Sequence, residues 1–149
     1  MTTESDNPYK SAFYGYFKGI KSWNDLAAFW QHLSQLADDQ WFVYDTSQLP
    51  PIAPLSAQAF KDFIQEADDY LRSNHDEDYC GIVYVDNIES PEFMKIYDPN
   101  NLGVVCGYSD NPPLPKWSVS RLKPVVLQTA DNTHKSWIKW LGNKFSAAR

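Results

Sequence analysis

An α/β or α+β fold is what this chain predicts: a mixed sheet of four to five strands, holding one βαβ unit and a β-meander, packed with three or four helices. Three observations predict it. Two amphipathic stripes at helical spacing, over 23–37 and 57–73, alternate with short apolar runs rich in β-branched and aromatic residues. Prolines and polar turn residues separate these runs. At 149 residues, 43% of them hydrophobic and 21% charged, the chain is long and apolar enough to bury a core without disulfides or metal.

Residues 1–7, MTTESDN, are polar and read as a flexible tail, leaving 8–149 as a single globular domain. The tail has neither the basic start nor the apolar stretch of a signal peptide, so a cytoplasmic protein is expected. No apolar run approaches the length of a membrane span. From Tyr9 to Ile20 the apolar residues keep helical spacing, with Asn7 as a cap and Pro8 in the first turn. Gly15, Gly19 and the run of aromatics suit a strand equally, so helix and strand both stay open there.

Ser22 with Asp25 three residues on forms a helix start, and Leu26, Phe29, Trp30, Leu33, Leu36 and Ala37 then share one face. "WFVYD" (41–45) follows as a strand, and Pro50, Pro51 and Pro54 keep 46–55 a loop. Ser56 caps a second helix whose stripe is Phe60, Phe63, Ile64, Ala67, Tyr70 and Leu71. "CGIVYVD" (80–86), "EFMKIYD" (92–98) and "LGVVCG" (102–107) read as the meander, the last two joined by Pro99-Asn100-Asn101. A proline-rich stretch precedes a strand at 118–122 or 125–127, and Trp137, Ile138, Leu141 and Phe145 mark a closing helix over 133–146.

Charge narrows the function classes. Residues 25–110 hold sixteen Asp or Glu against three Lys or Arg, whereas 111–149 hold seven Lys or Arg against one Asp. A nucleic-acid reader would be basic overall or carry a dense basic stripe, and this chain has a net charge of −6. No GxGxxG, P-loop, HExxH or GxSxG pattern occurs, so no cofactor is expected.

The βαβ reading makes 41–45 and 80–86 parallel neighbours, which sets Asp45 and Asp86 on one rim of the sheet, where open α/β sheets bind ligands. The meander adds Glu92 and Cys106 to that rim and puts His75, Cys80 and Asp98 on the other. Such a rim would suit a small metal-dependent enzyme or hydrolase: Asp45, Asp86 and Glu92 as cation ligands or an acid–base pair, and Cys106 as a nearby nucleophile. Each aspartate equally fits an Asx-turn into the polar residues that follow it. "HDED" (75–78) lacks a second His or Cys at ligand spacing and reads as a loop. The same layout separates Cys80 from Cys106 by several residues of strand rise, so no disulfide is expected between them.

The other candidate surface is the segment 108–123. Prolines 112, 113 and 115 cannot pair in a central strand. Tyr108, Pro113, Pro115, Trp117, Arg121 and Lys123 together would form an aromatic and basic docking face for a protein partner. The alternative has Tyr108 and Trp117 folded back to pin the loop on the core. Because these docking residues are contiguous while no catalytic constellation is complete, the leading expectation is a small soluble accessory or protein-binding module without catalysis.

Overall fold

Side-chain caps start each of the three described α-helices. In the computed structural model, which describes residues 7–101 and 113–127, Asn7 Oδ1 accepts the Lys10 N–H at 3.0 Å and opens α1, Pro8–Phe13. Asn7 therefore belongs to a helix cap and not to a loose tail. Ser22 Oγ accepts from Asp25 N at 2.9 Å and opens α2, Trp23–Ser34. Ser56 Oγ accepts from Ala59 N at 3.1 Å and opens α3, Ala57–Asn74. Each bond satisfies an amide that has no partner within its helix. The segment 9–20 is both helix and strand in turn: α1 stops at Phe13, and β1 runs Lys18–Ser22. α2 ends three residues before the expected position 37, because Gln35, Leu36 and Ala37 donate to carbonyls three residues back and tighten the last turn.

The remaining described strands are β2, Phe42–Asp45; β3, Tyr79–Val85; β4, Phe93–Ile96; and β5, Trp117–Ser120. They form one sheet in the order β1-β3-β4-β5-β2, and every neighbouring pair is antiparallel. This corrects the mixed sheet and its parallel βαβ unit. β4 and β5 lie between β2 and β3, and three antiparallel steps leave those two strands opposed. The α3 connection carries the chain across the sheet from one edge strand to a strand near the other edge, so strands consecutive in sequence are not neighbours in space. The β3–β4 hairpin of the expected meander is present. The second edge of β4 is paired with β5. Residues 102–107, the helix expected at 133–146 and residues 1–6 lie outside the described residues.

Register divides the sheet into two faces. Val83, Val85, Met94, Ile96 and Val119 point to one side, where Leu26, Phe29 and Leu33 of α2 and Phe60, Ile64, Ala67 and Leu71 of α3 cover them. Trp41 stacks on Phe60 with centroids 5.2 Å apart and planes 1° from parallel. Tyr44, Phe93, Lys95, Ser118 and Ser120 point the other way. There α1 supplies Tyr9 and Phe13, and Phe17, Leu114, Leu122, Val125 and Leu127 complete the cover. Where β1 meets β3 the register slips between Ile20 and Ser22, and Gly81 takes φ +69°. A Cβ at that position would sit 2.9 Å from the Tyr79 ring, so both backbone and space call for glycine.

Candidate functional site

The topology separates the carboxylates of the expected rim. Asp45 shares a row with Trp117, Ile96 and Val83. Asp86 extends β3 beyond Val85, donating its N–H to the Phe93 carbonyl. Three residues of rise and three strand spacings come to about 10 Å along the strands and about 14 Å across them, too far to share a cation. Each aspartate has a local task. Asp45 Oδ1 accepts from Ser47 N at 2.9 Å and Ser47 Oγ at 2.7 Å, closing an Asx-turn. Asp86 Oδ1 accepts from the backbone N–H groups of Asn87, Glu92 and Phe93, at 2.8, 3.1 and 3.2 Å, and so closes the β3–β4 connection. Glu92 joins Asp86 through its backbone N–H, while its carbonyl accepts from Arg121 N.

No group of three His, Cys, Asp or Glu is placed to hold a metal ion among the described residues. His75 leaves the acidic loop altogether, its Nε2 lying 2.9 Å from the Cys80 carbonyl. Cys80 is a buried free thiol, pushed up from its ordinary value by burial, which disfavours the thiolate. Cys106 lies outside the described residues. No described helix is long and apolar enough to cross a membrane.

Within segment 113–123, Trp117–Ser120 is β5, an inner strand of the sheet. Trp117 is only 8% exposed, with its ring edge-on to Phe63 and Tyr70 at 5.2 and 5.7 Å. Its side chain belongs to the core. Pro115 is buried and its carbonyl accepts from Thr46 Oγ1 at 2.6 Å. Arg121 is held within the chain: its guanidinium meets both Asp38 oxygens, at 3.1 and 3.0 Å, and lies 4.4 Å over the Trp41 ring. Pro113 is half-buried, Lys123 is exposed, and Tyr108 lies outside the described residues.

Among the described residues, an open edge lies at the β1 side of the sheet. β1 pairs with β3 on one side, and no described strand pairs with its other side. Beside it runs a groove of about 610 Å³ between β1, α2 and the loop after β3. Ile20 and Phe29, each 3% exposed, form its floor, while Ala28 and Ile88 give it apolar walls. Lys18, Lys21, Asp25 and Glu89 supply charge around it. The Nε2 of His32 lies 3.0 Å from the Glu89 carbonyl and ties α2 to that loop. These residues were not among the expected site residues, although a signal was present. In "KGIKS" a lysine on either side of a lone isoleucine is the pattern of a strand at a sheet edge. No family model, curated protein or solved structure matches the chain.

Proposed function

We propose that this protein is a small non-catalytic accessory module, a single domain that binds a protein partner by taking an extended segment of it along β1. The observation that carries this reading is the coincidence of a strand edge that no described strand pairs with and an apolar groove beside it. A strand edge offers main-chain hydrogen bonds to any extended peptide, and a flanking groove adds pockets for alternate side chains. The candidate docking residues thereby move from 108–123 to the β1–α2 groove.

The charges select the partner's chemistry. Lys18 and Lys21 are exposed on β1. Two copies meeting edge to edge would bring like charges together, which disfavours self-pairing. An incoming strand with acidic residues beside these lysines, and apolar residues at alternate positions over Ile20 and Phe29, satisfies both features.

Selection from a displayed library of random peptides on the immobilised protein tests this reading. Enriched sequences should alternate apolar and other residues, include Asp or Glu, and shift the amide resonances of β1 and α2 on binding. Ala28→Trp, an exposed position on the groove wall, should weaken the selected peptides at least about tenfold by filling the groove. Binders whose footprint falls elsewhere, or that ignore Ala28→Trp, would remove the groove from consideration.

A further inference from the structure

A second site lies on the opposite face of the sheet and is independent of the groove. Lys95 sits in β4, with strands on both sides, opposite Tyr84 of β3 and Ser118 of β5. Its Nζ lies 4.2 Å from the ring centroids of both Phe13 and Phe17. Among the described residues no carboxylate pairs with it, and its nearest polar neighbours in register are hydroxyls. The Tyr84 phenol belongs to one, and Ser118 Oγ lies 2.6 Å from the Tyr9 hydroxyl. The side chain is nevertheless partly exposed, so a small molecule can reach it.

An amine held between two aromatic rings, with no carboxylate partner among the described residues, loses hydration that the ammonium form needs. The two ring faces attract the cation and offset part of that loss. Burial still pulls Lys95 down from 10.5 to about 8. Desolvation of this kind activates a lysine toward carbonyl carbon.

We propose that Lys95 is a nucleophilic amine site that condenses reversibly with small aldehydes. The neutral nitrogen attacks the carbonyl carbon, forming a C–N bond as the C=O π bond opens onto oxygen, and one proton passes from nitrogen to that oxygen to give a carbinolamine. Loss of the hydroxyl together with the remaining nitrogen proton, as one molecule of water, leaves an imine. No electrons are exchanged with an outside reagent. Phe13 and Phe17 flank the site and favour a small or flat carbonyl compound over a bulky one.

Residue-resolved trapping tests this on the whole protein. The chain is incubated at pH 7 with limiting acetaldehyde and cyanoborohydride, and each lysine's alkylation is followed by mass spectrometry of peptides. Lys95 should react at least about tenfold faster than exposed Lys18, Lys21 and Lys61, with a rate that levels off above about pH 8. In denaturant this preference should vanish. Phe17→Ser, which rehydrates the amine, should reduce it. Alkylation of Lys95 no faster than of Lys61 in the native protein would overturn the assignment, as would a preference that persists in denaturant.

Discussion

Under α2 and α3 the sheet presents Val83, Val85, Met94, Ile96 and Val119, all at 0% exposure, whereas under α1 it presents Tyr44, Phe93, Lys95, Ser118 and Ser120. The first face is held by buried apolar area, which is non-directional and grows with the surface removed from water. The second face carries hydroxyls and an amine, so each polar atom there needs a partner or brings a penalty. The same sheet thus has one side held by apolar burial and one that adds specific polar pairs to its apolar contacts. Substitutions should report this difference in both size and kind.

The largest effect belongs to the apolar face. Phe60 is fully buried and stacked on Trp41. Phe60→Ala should lower unfolding stability by about 3–5 kcal/mol, through lost transfer energy and the cavity left behind. Its signature is a lower urea midpoint with an unchanged slope. A loss no greater than that of the next variant would erase the distinction between the faces.

Tyr9→Phe probes the polar side with little change in volume. The Tyr9 hydroxyl and Ser118 Oγ are partners inside the core, and Ser118 is 1% exposed. Removing one hydroxyl leaves the other desolvated, which should cost about 1–3 kcal/mol. Tyr9→Phe combined with Ser118→Ala should cost less than the two single losses added together, because the double variant leaves no orphaned group. Additive losses would mean that the pair contributes nothing beyond its apolar surface.

Much of the apolar face was legible in the sequence, and little of the polar one. The stripes of α2 and α3 are long, and Ser22 and Ser56 mark their starts, so local chemistry alone fixes them. β5 is four residues long and sits beside prolines that argue against a central strand, yet Trp117 to Ser120 lies between β4 and β2. Its alternation is of size and polarity, Trp and Val against two serines, and the serines face a buried layer where polar residues are not expected. The parallel βαβ reading failed for a related reason. Hydrophobic pattern places a strand in a sheet but does not choose its neighbour, and a long helical connection spans several strands as readily as one. The carboxylate rim depended on that choice of neighbour, whereas the Asx-turn at Asp45 depended only on Thr46 and Ser47 and survived.

Lys95→Met should produce the smallest and most telling change, because its sign is reversed. At pH 7 the amine is protonated both in the native protein, where it titrates near 8, and in the unfolded chain, where it titrates near 10.5. The native state therefore carries the full penalty of holding a partly dehydrated charge. Converted directly, that shift would be about 3 kcal/mol. Solvent reaches the side chain and screens it, which reduces the figure to about 1–2 kcal/mol. Methionine keeps contact with both rings and has no charge to hydrate, so the variant should be more stable than the parent by that amount. The pH dependence supplies the sign. Between about pH 8 and 10 the unfolded parent binds more protons at this site than the native parent, so parental stability should rise with pH. Above about pH 10 it should fall, because burial first, in each case, raises Tyr9, Tyr44 and Tyr97, and the unfolded chain then releases its phenolic protons first. Lys95→Met should flatten the rise and leave the fall in place, as read from urea midpoints across pH 7–11. A variant less stable than the parent at pH 7 would show that the two ring contacts outweigh burial, and that the polar face holds its lysine as a favourable element of the fold.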